Sequence, residues 1–194
     1  MRIKPIEYDN ASKEAKKEFD DQIASHGRIT NMKRTLLHSV PAFKTLMEWY
    51  TLRDKVAEFI GDNGVNIFCY AISHTNDCLI CSTFFRKIIK DNGGDPDNLS
   101  LSKEEKVLID FGQKCVKDQH NMDDELFNRL KELYSDEQII LLTAFAGMMI
   151  ATNLINNILD VELDEYLISY TKRWFMCEFK GKTVFITGAA KGQG

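Results

Sequence analysis

Proline is nearly absent from this chain, and that absence limits what it can fold into. Only Pro5, Pro41 and Pro96 interrupt 194 residues, and the glycines gather between apolar segments rather than inside them. With so few breakers, long stretches keep the 3.6-residue apolar recurrence of amphipathic helices. The fold class this predicts is all-α up to a short, strand-like C-terminal tail.

The individual helices can be read from their ends. Asn10-Ala11-Ser12 caps a helix running to about Ser25, and a second, short one covers Asn31 to His38. Pro41 suits the first turn of a third, which carries Phe43, Leu46, Met47, Tyr50, Leu52, Val56 and Phe59 until Gly61. Val65 to Ile72 is nearly all apolar and reads as a helix buried on most sides, broken by His74-Thr75-Asn76-Asp77. Asp77 then serves as N-cap of a helix from Cys78 to Asn92-Gly93-Gly94, which puts Cys78 and Cys81 in a first helical turn. Ser102-Lys103-Glu104-Glu105 and Ser135-Asp136-Glu137-Gln138 are capping boxes. The first opens a helix with Val107, Leu108, Phe111 and Cys115 on one face. The second follows a helix from Asp124 to Tyr134 and opens the apolar run Ile139 to Leu159. Ala144, Ala146, Gly147 and Ala151 in that run permit close helix packing, in a core or at a subunit interface, and Asn153, Asn156 and Asn157 read as capping or turning its end. Tyr170 to Lys180 reads as a linker.

Composition narrows the function classes. Apolar residues at 44% and charged residues at 28% fit one globular domain plus a tail. A net charge of −4 with interspersed signs offers no footprint for nucleic acid or an anionic membrane surface. Met1 to Glu7 has no apolar leader core, and no apolar stretch is read as reaching the roughly 18 residues of a membrane span. The expectation is a cytoplasmic protein without membrane or nucleic-acid partners. Five cysteines, an odd number with only two close together, argue against a secreted disulfide framework.

Cys78-Leu79-Ile80-Cys81 is the strongest candidate for chemistry. Two cysteines three apart can close a disulfide, and a helix N-terminus favours a thiolate. Thiol–disulfide exchange needs one attacking and one resolving sulfur, and this spacing supplies both. Two small buried hydrophobes is an equally weighted reading of the spacing alone. Zinc would want a second ligand pair, and Cys69, Cys115 and Cys177 are scattered singly, so no metal and no cofactor are assigned. His74, four residues before Cys78, is the candidate base, while Ser82 and Thr83 either bond a thiolate or back-bond within their helix. His26, His38 and His120 show no partner in the sequence.

The run Ala71-Ile72-Ser73-His74-Thr75-Asn76-Asp77-Cys78-Leu79-Ile80-Cys81-Ser82-Thr83-Phe84-Phe85 resembles the AhpD-like/carboxymuconolactone decarboxylase superfamily. Arg28 to Met32 with Leu37 to Pro41 looks like its N-terminal segment, and Leu101 through Asn157 to Asp164 like its closing helices, so the resemblance covers roughly residues 25 to 168. It implies an all-helical homo-oligomer acting as a thiol–disulfide oxidoreductase or alkylhydroperoxidase through Cys78 and Cys81, with a redox partner protein. The departures are specific. The superfamily's AhpD branch carries a Glu twelve residues before the first cysteine and a His four after the second, which here are Asn66 and Phe85. A further His before the second cysteine is Ile80. The thiol pair is kept and the proton relay is not.

The last residues, Gly181-Lys182-Thr183-Val184-Phe185-Ile186-Thr187-Gly188-Ala189-Ala190-Lys191-Gly192-Gln193-Gly194, resemble the opening of a short-chain dehydrogenase/reductase. The helix whose amides would hold pyrophosphate does not follow, so no dinucleotide binding is expected. The domain reading is a helical domain over 1–172 and a linker with a truncated dinucleotide-binding-like segment over 173–194. The alternative function is a non-catalytic helical oligomerisation or small-molecule-binding domain natively fused to such a reductase.

Overall fold

The computed structural model describes residues 1–171, and the tail with its strand-like and reductase-like readings lies outside them. Within them run eight α-helices: α1 (Lys13–His26), α2 (Asn31–Leu36), α3 (Val40–Met47), α4 (Trp49–Thr75), α5 (Leu79–Asp91), α6 (Lys103–Lys117), α7 (Asp124–Leu133) and α8 (Asp136–Leu159). Short 3-10 helices stand at Tyr8–Asn10 and Glu165–Tyr170, the second ending at Tyr170, where the linker reading begins. No strand occurs among the described residues, as the all-α reading requires.

The helix starts follow their capping chemistry. Ser12, Thr30, Ser39 and Asp123 each accept a hydrogen bond from a backbone N–H three residues on, and both Ser102–Glu105 and Ser135–Gln138 close complete capping boxes. The helix expected from Pro41 to Gly61 is instead two, α3 and α4, parted at Glu48. At Gly61 α4 kinks rather than ends: its φ of 69° and ψ of 169° suit glycine, and the helix resumes in the buried half, Val65 to Ile72.

That buried half is the axis of the domain, packed along α5, α6 and α8. Phe68 is fully buried and stacks on Phe111 of α6 and Phe145 of α8, with ring centroids 6.1 and 6.3 Å away. A Cβ on Gly112 would stand 3.1 Å from Ile72 Cγ1 and 3.2 Å from the Phe68 ring, so the close approach of α6 to α4 needs a glycine there. A smaller cluster, with Phe19, Leu37, Phe43 and Leu46 from α1 to α3, joins the main core along Met148, Ala151 and Ile155 of α8.

Helix α8 corrects two sequence expectations. It is 24 residues long and contains an 18-residue window of mean hydropathy 1.8, so the chain does hold one helix long and apolar enough to cross a membrane. Its inward face carries Leu142, Phe145, Met149, Asn153 and Asn156, all buried against α4 and its surroundings. Asn153 and Asn156 therefore belong to the interior and do not cap the helix end, where Asp160 takes the left-handed conformation at φ 51°. On the outward face Ile140, Ala144, Gly147, Leu154 and Ile158 are exposed and Ala151 half-buried, which is an apolar seam at alternating spacings of four and three.

Phe145→Ala should destabilise the domain by about 3–5 kcal/mol, because the ring is wholly buried between Phe68 and Trp49 and its loss leaves a cavity. Urea unfolding followed by circular dichroism measures this. A change under about 1 kcal/mol would contradict the packing described.

Candidate functional site

The thiol pair owes its place to a turn. After Thr75 the Asp77 N–H donates to His74 O (3.3 Å) and the Cys78 N–H donates to Ser73 O (3.0 Å), the paired bonds of a Schellman motif. Asp77 sits at its left-handed position with φ 50°, a conformation that Asp tolerates better than most residues. Asp77 is thus the end of α4 and not the cap of α5. The residue at the N-cap of α5 is Cys78, with extended φ and ψ of −85° and 101°, and Cys81 is the third residue of the helix.

Both sulfurs are free thiols in the interior. Asn156 of α8 reaches them from below, its side-chain N–H groups donating to Cys81 Sγ at 3.3 Å and lying 3.9 Å from Cys78 Sγ. The same amide touches Met32 Sδ at 3.5 Å. Asn153, one helical turn earlier, donates to Ser73 Oγ at 3.3 Å and accepts from Asn76 at 3.4 Å. The Asn156 carbonyl oxygen is buried and has no partner among the described residues.

The two thiols are held apart electrostatically. The Cys78 thiol is lowered to about 7, first because the Cys81 thiol donates to it. Burial opposes the shift, while the Cys81 N–H, the Asn156 amide and the Ile80 N–H assist it. No first-turn N–H closes a full capping bond on the sulfur, but the helix N-terminus still favours its anion. The Cys81 thiol is pushed well above its ordinary value by the adjacent Cys78 sulfur and by burial. Cys69 is raised likewise, and Cys115 to about 11, both through burial.

Access runs the other way. A cavity of about 300 Å³ opens over α5 between α2, α3, the start of α4, α8 and the C-terminal 3-10 helix, and Cys81 lines it whereas Cys78 does not. Its walls are mostly apolar, with Met32, Trp49, Ile80, Phe84, Phe85 and Met149 among them. The segment ahead of α2 and the 3-10 helix Glu165–Tyr170 form its rim: Asp164 accepts from the Asn31 N–H at 2.9 Å, and the Arg28 guanidinium lies 4.3 Å from the Tyr166 ring centre. Phe85 and Ile80, at two positions of the absent relay, are cavity wall, and Asn66 at the third is half-buried on α4.

The remaining candidates are dispersed. The His74 ring is exposed and stacks on Tyr70, with centroids 5.7 Å apart, while the side chains bonded to the sulfurs come from α8. Ser82 Oγ back-bonds to Leu79 O at 3.3 Å. His38 and His26 do have partners: His38 Nε2 meets Lys4 O at 2.9 Å, and His26 stacks on Tyr50 at the cavity. Sequence reasoning missed Asn156 and the cavity residues Lys33, Trp49 and Tyr50. A signal for Asn156 was available, since an amide on the inward stripe of an apolar helix has to find a polar partner.

No family model and no curated protein matches the chain. Solved structures do. The debrominase Bmp8, apo, aligns at 16% identity with a TM-score of 0.70, over 87% of this chain and 95% of its own. A cysteine-to-alanine variant of Bmp8 in complex with 2,3,4-tribromopyrrole aligns at 15% identity and TM-score 0.71, over 88% and 95%. An uncharacterised peroxidase-related protein from Ralstonia eutropha JMP134, described as an alkylhydroperoxidase AhpD core, aligns at 17% and 0.70, over 86% and 93%. The fold is therefore the AhpD-like all-α fold. The residue-level resemblance around Cys78 and Cys81 had pointed to the same architecture.

Alkylation of the reduced protein by iodoacetamide across pH should show one thiol titrating near 7, well below the ordinary value of about 8.5. In Asn156→Leu the midpoint should move up, because the anion loses an amide donor. An unchanged midpoint in that variant would remove Asn156 from the site.

Proposed function

We propose that the protein is a thiol-dependent reductase of organic hydroperoxides or of other small electrophiles, cycling Cys78 and Cys81 between dithiol and disulfide. The observation that carries this reading is the pair itself: two coupled thiols on the first turn of α5, one of them lining an apolar cavity, with Asn156 donating between them.

The division of labour follows access and charge together. Cys81 is the attacking sulfur, because only it lines the cavity, and Cys78 is its base and then its resolving thiol. The Cys81 proton passes to the Cys78 thiolate, and the Cys81 thiolate attacks the terminal oxygen of R–O–OH. An S–O bond forms, the O–O bond breaks, and the leaving alkoxide takes a proton to give R–OH. Cys78 then attacks the sulfenic sulfur of Cys81, water leaves, and the disulfide closes. Two electrons pass from the dithiol to the peroxide, and an external dithiol or redox partner protein restores the pair. The absent Glu and His are thus replaced by the neighbouring thiol. A halogenated ring is a second substrate class, favoured by the aromatic walls and by the tribromopyrrole complex of the Bmp8 variant. There the Cys81 thiolate would attack the halogen: an S–halogen bond forms as the carbon–halogen bond breaks, the ring carbon takes a proton in its place, and attack of Cys78 on the sulfenyl halide expels halide ion and closes the disulfide.

Cys81→Ser should abolish dithiothreitol-dependent turnover of cumene hydroperoxide. Cys78→Ser should permit one turnover and leave a sulfenic acid that dimedone traps at residue 81. Trapping at residue 78 in the converse variant would reverse the roles. His74→Gln should change the rate by less than about twofold, whereas a loss of about a hundredfold, the size of a general-base effect, would return His74 to the mechanism.

The outward seam of α8 supports a homo-oligomer. Ile140, Leu154 and Ile158 are each more than half exposed on one stripe, with the exposed small residues Ala144 and Gly147 between them to admit a second copy of the helix. Light scattering should report more than one chain mass for the native protein and a single chain for Leu154→Glu.

A further inference from the structure

The cavity above Cys81 carries a second feature that the thiol chemistry does not use. Lys33 of α2 lines it with a relative exposure of only 6%, and its neighbours are neutral: the ammonium donates to Gln22 Oε1 and, at 3.0 Å, to the Tyr50 hydroxyl. A buried charge ordinarily has a counter-charge. The other cations of the wall do: Lys87 pairs with Asp91, and Arg28 has the carboxylate of Asp164 in its surroundings. Among the described residues, no Asp or Glu lines the cavity.

The polar inventory of this end is one-sided. Lys33 has three protons and spends two on Gln22 and Tyr50. Tyr50 accepts from Lys33, so its own O–H is left to donate. Two donors and a net positive charge, set in an apolar chamber of about 300 Å³, match one acceptor-only group at the end of an apolar body. We propose that Lys33 and Tyr50 form an anion subsite, and that the substrate is an apolar, ring-sized acid whose carboxylate they bind while its body lies over Cys81. This rests on the reductase reading for the word substrate, but not for the binding itself. It also accounts for the conspicuously basic wall of a protein whose net charge is −4.

The groups facing Lys33 define the pH behaviour. They are Gln22 and His26 from α1 and Tyr50 from α4, while Arg28 ahead of α2, Lys87 and Cys81 from α5 and Tyr166 from the 3-10 helix Glu165–Tyr170 line the same cavity, with Cys78 behind Cys81. Burial lowers Lys33 to about 8, so it is charged below that value and neutral above it. His26 is lowered by burial and by Lys33, while Tyr50 and Tyr166 are raised by burial, so none of these three changes charge in that window. Cys78 does change charge nearby, and its thiolate would also repel an anion as pH rises.

The test is therefore made in the full-length Cys78→Ser/Cys81→Ser protein, by calorimetry with naphthalene-2-carboxylate and its neutral isostere 2-naphthamide. At about pH 7 the carboxylate should bind about tenfold or more tighter than the amide, the range expected for hydrogen bonds to a charged group. Its affinity should fall as pH passes through and beyond about 8, while that of the amide stays flat. Lys33→Met should erase the preference and keep amide binding. Equal affinities at about pH 7, no measurable binding of either ligand, or a preference that survives Lys33→Met would each overturn the subsite. The pH profile of the protein with Lys33 intact stands independently if that variant fails to fold. Failure of the reductase reading looks different: the carboxylate preference holds, but the native protein neither closes the disulfide nor turns over hydroperoxide.

Discussion

The packing of α8 alongside the buried half of α4 is the constraint on which the rest depends. The two helices run in the same direction, Phe145 meeting Phe68 and Asn153 meeting Ser73. This puts two asparagines where an apolar helix would carry leucine or alanine, Asn153 wholly buried and Asn156 nearly so. A buried amide costs free energy unless its groups are paired, about 1–3 kcal/mol for each one left unmade. Asn153 meets this with Ser73 and Asn76, tying α8 to the last turn of α4 and the loop after it. Asn156 meets it with the sulfurs at the start of α5, and only in part, since its carbonyl oxygen has no partner among the described residues. An interior that tolerates such a group beside two thiols is arranged for something other than stability.

The site divides charge from exposure. The more acidic thiol, Cys78, is sealed beneath the turn that ends α4, and the cavity reaches the less acidic Cys81. A lone cysteine could not have both properties, because contact with an apolar chamber raises a thiol as surely as amides lower it. In the proposed function, sharing one proton between neighbouring sulfurs removes the conflict: Cys78 is lowered to about 7, and a short transfer would bring the anion to the sulfur that lines the cavity. The Schellman turn at Asp77 makes this possible by placing Cys78 at the end of one helix and the start of the next in a single residue.

The chamber itself is assembled from segments far apart in the chain. Its floor belongs to α5 and α8, but its rim comes from the segment before α2 and the 3-10 helix near residue 165, held together by Asp164 on Asn31 and Arg28 on Tyr166.

Much of this was legible in the sequence for local reasons. Caps and breakers act within four residues, so Ser12, Ser102 and Ser135 announce helix starts from the chain alone, and the Cys-x-x-Cys motif marks the first turn of α5. Local readings failed where two signals compete over a few residues. Asp77 looked like a cap because Asp favours that role, but the left-handed turn it makes shifts the cap to Cys78. Asn156 looked like a helix end because nothing nearby in sequence needs it: its partners, Cys78 and Cys81, lie 78 and 75 residues away. Nothing local in the sequence singles out Lys33, since only the packing of α1, α2 and α4 removes it from water. The sequence by itself determined the helices and the thiol pair, because propensity and spacing are local. Which sulfur is acidic, which is reachable and where the uncompensated charge lies were decided only by the tertiary structure, because burial and long-range pairing set them.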